Sequence, residues 1–229
     1  MNISEKNHYL EEVVRMPNIL KNPKGAYAEA FRTVKTNIRY SSADKDKKVF
    51  LVTSTQPGEG KSTVAVNLAM SLSLDNKKVI IIDADLRKPT VHKRLQISGT
   101  TGLTDVLVGE VELDDAIIKV NEYLNVLVAG QIPPNPAELL ASKGMEKLIN
   151  KFREEYDYVI LDGNPICVIA DSQILASKVD GVILIARHEY TKKDELVNAK
   201  KLVEQVGGNV IGVILNRVRD KSRKYYYYY

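Results

Sequence analysis

From residue 49 to residue 215, short β-branched runs alternate with stretches whose apolar residues return at helical spacing. The runs occupy residues 49–52, 79–82, 124–128, 158–161, 182–185 and 210–215. Between them, Ala65, Leu68, Ala69 and Leu72 repeat on one helical face, as do Leu196, Ala199, Val203 and Val206. Strands alternating with helices predict an α/β fold: a mainly parallel β-sheet with helices on both faces. The uninterrupted Val79-Ile80-Ile81-Ile82 suits its buried centre. Asn135, Pro136 and Glu138 stand where an N-cap, a first-turn proline and an N3 acid belong, so a helix is expected to open there and run toward Glu155. Gly207-Gly208 closes the helix before the last strand. Upstream, a polar arm with Pro17, Pro23 and Gly25 leads into a predicted helix over about residues 26–40, striped by Phe31, Val34 and Ile38.

At 229 residues the chain fits one α/β domain with tails: an arm over 1–25, a domain over 26–217 and a basic, tyrosine-rich segment over 218–229. With 44% hydrophobic and 27% charged residues, wholesale disorder, collagen and a disulfide scaffold are all excluded. No apolar run approaches the ~20 residues that span a bilayer, and residues 1–15 are charged where a signal peptide is apolar, so a cytoplasmic protein is expected. The single cysteine, Cys167, excludes an internal disulfide and is expected to be buried between Ile166 and Val168. His8, His92 and His188 lack metal-ligand spacing and are expected to be solvated. The net charge of +4 is local: Arg217, Arg219, Lys221, Arg223 and Lys224 face only Asp220 near the C-terminus. A general nucleic-acid surface is therefore not implied.

The chemistry sits after the first strand, where residues 53–63 read Thr-Ser-Thr-Gln-Pro-Gly-Glu-Gly-Lys-Ser-Thr and lead into a helix. This is a P-loop with Thr55 at the position of its first glycine. Gly58 and Gly60 let the backbone N–H groups converge on phosphate, Lys61 supplies charge to the β- and γ-phosphates, and Ser62 ligates Mg²⁺. Gln56, Pro57, Gly58, Glu59, Gly60, Lys61, Ser62 and Thr63 form the expected ATP cradle. The second strand ends in Asp83-Ala84-Asp85-Leu86-Arg87 and the fourth run in Asp162. Strand C-termini gather at one sheet edge, so these acids can face a Mg·phosphate cluster, with Ser62, Asp83 and Asp162 as metal candidates. One of Asp83 and Asp85 can serve an incoming hydroxyl. Lys88, Lys93 and Arg94, near the same edge, are read either as an exposed basic loop or as an attractor of acidic partners or phosphotyrosine.

The P-loop with its proline, the Asp-x-Asp-x-Arg strand end, Thr101-Gly102-Leu103-Thr104-Asp105, the segment from Pro133 to Leu140 and the tyrosine tail together resemble the bacterial tyrosine kinases of capsule and exopolysaccharide synthesis, in their separate cytoplasmic CpsD/CapB type. The resemblance implies an ATP- and Mg²⁺-dependent protein-tyrosine kinase with a P-loop NTPase-like fold. It implies catalytic roles for Lys61, Asp83, Asp85, Asp162 and Arg87, and adenine packing on Asn216 and Arg217. Tyr225, Tyr226, Tyr227, Tyr228 and Tyr229 become the phosphoacceptors, delivered in trans within a homo-oligomeric ring. The ring's Glu-x-x-Arg-x-x-Arg interface motif corresponds to Glu29, Arg32 and Lys35, with lysine in place of the last arginine. Further implied are a membrane-embedded activator of the chain-length-determinant type, which recruits the kinase to the inner face of the membrane, and a cognate tyrosine phosphatase. No nucleic-acid partner is expected. Where the family follows its Walker B aspartate with Thr-Pro-Pro, this chain has Gly163-Asn164-Pro165, a change expected to remove a hydroxyl near Mg²⁺ and to loosen the backbone. The competing readings are a MinD/ParA-like ATPase, against which stand Gln56 and the tail, and a nucleotide-gated scaffold.

Overall fold

The computed structural model describes residue 22, residues 24–41 and residues 47–218. In chain order these form α1 (Ala26–Ser41), β1 (Val49–Ser54), α2 (Lys61–Ser73), β2 (Val79–Asp83), α3 (Val91–Leu95), α4 (Leu103–Val108), α5 (Leu113–Ala116), β3 (Ile118–Lys119) and β4 (Leu124–Leu127). There follow α6 (Pro136–Ala141), α7 (Lys143–Glu155), β5 (Tyr158–Asp162), α8 (Asp171–Ala176), β6 (Gly181–Arg187), α9 (Lys193–Gln205) and β7 (Val210–Asn216). The sheet order is β3-β4-β2-β5-β1-β6-β7. Every pairing is parallel except that of β3 with β4, which adds an antiparallel edge only two residues long. The six expected strands are all present; β3 is too short to carry a periodic signal.

Alternation along the strands divides the core in two. Leu51, Ile80, Ile82, Val159, Leu161 and Leu184 face a layer built from α7, α8 and α9. Phe50, Val52, Ile81, Ile160, Ile183 and Ile185 face α1 and α2. Burial of each such side chain contributes roughly 1.5–3 kcal/mol, and this layering is what holds the strand ends in register. Helix α2 is apolar nearly all round and buried from Val64 to Ser73, as befits a helix sandwiched between the sheet and α1.

Two expectations are corrected. The helix expected to run from Pro136 toward Glu155 breaks at Ser142, which has φ −61° and ψ 156°. Ser142 ends α6 and caps α7, its Oγ accepting from Met145 N at 3.1 Å. Cys167 is only half-buried, packed at the margin of the core.

In α1 the expected stripe is present, with Phe31 and Ile38 buried and Val34 partly so. Lys35 shares the buried side. Its Nζ donates to Ser71 O at 3.0 Å and to Asp75 Oδ1 at 2.9 Å, and Arg39 reaches the other Asp75 oxygen at 3.1 Å. Lys35 thus clamps α1 to the C-terminal end of α2. Of the expected interface motif, Lys35 is held in this clamp, while Glu29 and Arg32, an exposed ion pair three residues apart, stand outward. The tyrosines 225–229, most of the arm 1–25 and His8 lie outside the described residues.

Candidate nucleotide and phosphoryl-transfer site

The loop between β1 and α2 turns through two glycines in the left-handed region, Gly58 at φ +82° and Gly60 at φ +99°. Gly60 is also a place of close approach: a Cβ there would lie 2.1 Å from Asn216 Nδ2. Thr55 fits without positive φ and is tied from within. Its N and Oγ1 donate to Glu59 Oε2 and Oε1 at 2.7 and 2.9 Å. Gln56 N donates to the same carboxylate at 3.0 Å, and Thr191 Oγ1 from the turn after β6 completes the set. Glu59 is fully buried by these contacts. Glu59, expected in the nucleotide cradle, is its internal brace, with its side chain turned inward and its carbonyl held by Asn216. Asn216, expected beside adenine, donates from Nδ2 to Glu59 O at 2.8 Å and so holds the loop from the end of β7. Arg217, at φ +57°, lines the adjoining cavity together with Gly58, Lys61 and Ser62.

Because β2, β5 and β1 are neighbours, their C-terminal ends deliver Asp83, Asp162 and the P-loop to one place. Asp83 and Asp162 are partners across β2 and β5. Lys61 Nζ lies 2.9 Å from Asp85 Oδ2 and 3.7 Å from Asp162 Oδ1. Burial alone would lower the Lys61 pKa, but attraction to Asp162 and then Asp85 outweighs it and holds the ammonium above its ordinary value. Asp162 is wholly buried, and no donor reaches its oxygens with good hydrogen-bond geometry, although Lys61 and the nearby Ser62 hydroxyl favour its charged form. Burial accordingly pushes its carboxyl up, against the opposing pull of Lys61.

Asp83 and Asp85, equivalent in sequence, differ in place. Asp83 accepts from Thr90 N and Val91 N, each at 2.9 Å, and is sealed beneath the loop after β2. Asp85 lines a cavity of about 430 Å³ with Lys61, Ser62 and Arg87. Burial first, and the Asp162 charge second, push the Asp83 carboxyl up to about 7. Its folded value lies above its unfolded one, so the native state holds the extra proton between about pH 4 and pH 7. The stability this group contributes is present at low pH and is lost as pH rises through 7. Thermal melts of the nucleotide-free protein are expected to show this decline, and Asp83→Asn is expected to flatten it.

Arg87, expected at the catalytic edge, is half-exposed at the cavity wall and pairs with Asp171 through Nε at 2.8 Å. Asp171 also accepts from Asn164 Nδ2 at 2.9 Å. Asn164 is a hub that sequence reasoning missed. Its backbone O accepts from Thr53 Oγ1 and Ser172 Oγ, each at 2.6 Å, and its Oδ1 accepts from Ser172 N at 3.2 Å. The segment after Asp162, expected to be loosened, is therefore stapled to β1 and α8. At Gly163 a Cβ would lie 2.5 Å from Ser172 Oγ and 2.8 Å from Leu51 Cδ1. Restoring the family's threonine by Gly163→Thr is expected to lower stability by about 2 kcal/mol through this overpacking, read as a reduced unfolding midpoint in urea.

His92 is partly buried and held below its ordinary pKa by burial and then by Lys93, while His188 lies 3.9 Å from Glu189. Among the described residues no cluster of three or more His, Cys, Asp or Glu is arranged as a metal cage, and no helix is long and apolar enough to cross a membrane.

Residues 47–206 match the family model described as an AAA domain. The chain is 42% identical over 211 residues to the tyrosine-protein kinase YwqD of Bacillus subtilis, covering 92% of this chain and 89% of that one. Among solved structures it resembles the kinase domain of the Escherichia coli tyrosine kinase ETK, with TM-score 0.86 and 31% identity over 92% of this chain and 83% of that one. The chimerical protein CapA2B2 is similar at TM-score 0.84 and 34% identity, over 88% and 89% of the two chains.

Proposed function

The chain belongs to the bacterial tyrosine-protein kinases, and from that premise we propose that it transfers the γ-phosphoryl group of ATP to tyrosine hydroxyls, its own C-terminal cluster among them. The observation that carries this reading is the meeting of Lys61, Ser62, Asp85 and the buried carboxylate of Asp162 behind one P-loop. In the transfer, the phenolic oxygen bonds to the γ-phosphorus, the bond to the bridging oxygen of ADP breaks, and the phenol loses its proton. Asp85, at the cavity rather than beneath it, is the carboxylate positioned to orient that phenol and take the proton. Lys61 lies within the carboxylate cluster with its charge secured for the β- and γ-phosphates.

A divalent ion fits here: Asp162 offers two buried oxygens that no donor reaches with good hydrogen-bond geometry, and Ser62 stands beside it at the helix start. Ser62 and Asp162 would hold Mg²⁺, with Asp83 acting through the network beneath. When bound, Mg²⁺ supplies charge neutralisation across the phosphates. The turn from Gly58 to Ser62 supplies converging N–H groups, and Arg217 closes one side of the nucleotide cavity.

The wider reading is of a kinase that regulates capsular or exopolysaccharide polymerisation from the cytoplasmic face of the membrane. It is recruited and activated there by a membrane-embedded protein of the chain-length-determinant type and reset by a tyrosine phosphatase. Tail phosphorylation in trans within a ring fits Glu29 and Arg32 standing outward on α1. The names of the relatives support tyrosine kinase activity over a MinD/ParA-like ATPase or a nucleotide-gated scaffold.

Intact-mass analysis after incubation with Mg·ATP tests the reading, comparing the unaltered chain with one truncated after Lys224, each with and without an activator's cytoplasmic segment. Successive additions that require the tail and rise with the activator segment are expected. Release of phosphate from ATP with no addition to protein would favour the ATPase.

A further inference from the structure

Two cations at the cavity, Lys88 and Arg94, have no place in the phosphoryl-transfer chemistry described above. Lys61 is held by Asp85 and Asp162, and Arg87 by Asp171. Lys88, Arg94 and Arg217 line the same cavity and none lies within ion-pair distance of a carboxylate among the described residues, although the Arg94 charge acts on Asp162 from farther away. Arg217 adjoins the P-loop, where a nucleotide's own charge accounts for it. Lys88 and Arg94 belong instead to the segment that follows β2, fixed close to Asp85: Lys88 N donates to Asp85 Oδ1 at 3.1 Å, and Arg94 N to Thr90 O at 3.1 Å. Both side chains are exposed. The remainder of the lining includes an apolar group, Pro165, Val168 and Ile169, with Val168 left 52% exposed.

A cavity that offers two unpaired cations and an apolar surface suits a ligand with an aromatic ring and an anionic head. The geometry points to a phosphotyrosine subsite in which Lys88 and Arg94 hold the phosphate of a tyrosine already modified while its neighbour in sequence is presented to Asp85. The inference rests on the kinase reading above and deepens it. Its occupant is the segment 225–229 of a copy of this chain, five adjacent tyrosines preceded by Arg219, Lys221, Arg223 and Lys224. Before any transfer, those cations and the pair Lys88 and Arg94 repel one another. Each phosphate brings about −1.5 to −2 charges and reverses the sign of the encounter. The first addition is then slow, and each one eases the next, without any change in the bonds made and broken at phosphorus.

Time-resolved intact-mass analysis of the full chain with Mg·ATP and the activator segment reads this directly. For the unaltered chain, later additions are expected to run about five- to tenfold faster than five equivalent, independent sites allow, so that the singly modified species stays scarce. In the Lys88→Ala/Arg94→Ala variant the singly modified species is expected to accumulate in a statistical ladder, with KM for ATP unchanged. A second readout needs no turnover: a peptide holding one phosphotyrosine beside a tyrosine, titrated into the chain with ADP and Mg²⁺, is expected to bind about tenfold more weakly to the variant. Inorganic phosphate, which lacks the ring, is expected to bind weakly to both. A statistical ladder in the unaltered chain, equal peptide affinity in the two chains, or a KM for ATP that rises with the loss would overturn the subsite. Absence of any phosphate on tyrosine, with the activator present, would instead overturn the kinase reading beneath it.

Discussion

Lys61→Met is expected to reduce phosphate incorporation by about two to three orders of magnitude, the scale on which one preorganised charge acts on a transferring group. The same substitution is expected to destabilise the nucleotide-free protein. Lys61 is nearly buried, and its ammonium offsets Asp85 and Asp162 at 2.9 and 3.7 Å with Asp83 behind them. Removing one partner from such a group costs about 3 kcal/mol, because the charges left behind remain buried. Asp83 and Asp162, whose carboxyls burial already raises, can recover part of the loss by taking up protons, so the deficit is expected to be larger at pH 8 than at pH 6. Thermal melts at the two pH values beside intact-mass kinetics measure both halves. Undiminished tyrosine phosphorylation in the variant would move the active site out of this cavity.

Asp162→Asn is expected to separate stability from activity. The native carboxylate is wholly buried, and burial raises its pKa in spite of the pull of Lys61 and Ser62, so its charged form opposes folding. The amide removes that charge at nearly constant shape. A gain of about 1–2 kcal/mol is expected at pH 8, shrinking as pH falls and the native carboxyl becomes protonated. Phosphoryl transfer is expected to fall about 100-fold or more. A urea titration at pH 8 showing the variant to be less stable than the unaltered chain would refute the account of Asp162 as a charge kept for function against the interest of the fold.

Much of the architecture could be read from the chain because it depends on local periodicity. Six strands follow from β-branched runs, and the P-loop follows from glycines whose positive φ the turn demands. The sheet edge carrying Asp83 and Asp162 follows from the rule that parallel strands gather their C-termini together. What could not be read depends on who stands across a space. Lys35 continues an amphipathic stripe and looks like a surface cation until Asp75 is seen beneath it. Glu59 occupies a P-loop position of free choice in sequence, and it becomes an internal brace through Thr55 and Gln56 and through Thr191, far along the chain. Asp83 and Asp85 look equivalent until the loop after β2 folds over one of them. The break at Ser142 had a local sign, a serine before Lys143 and Gly144, but the stronger helical pattern on either side concealed it.

The amide of Asn216 joins the end of β7 to Glu59, and through Glu59 to Thr55 and Thr191. The basic, tyrosine-rich segment begins two residues further along the sequence. The end of β7 is therefore also a fastening of the nucleotide loop, so a pull on Asn216 is felt at the P-loop. In an assembly where one protomer's tail is gripped by the next, the donor of the tyrosine would register that grip at its own ATP site.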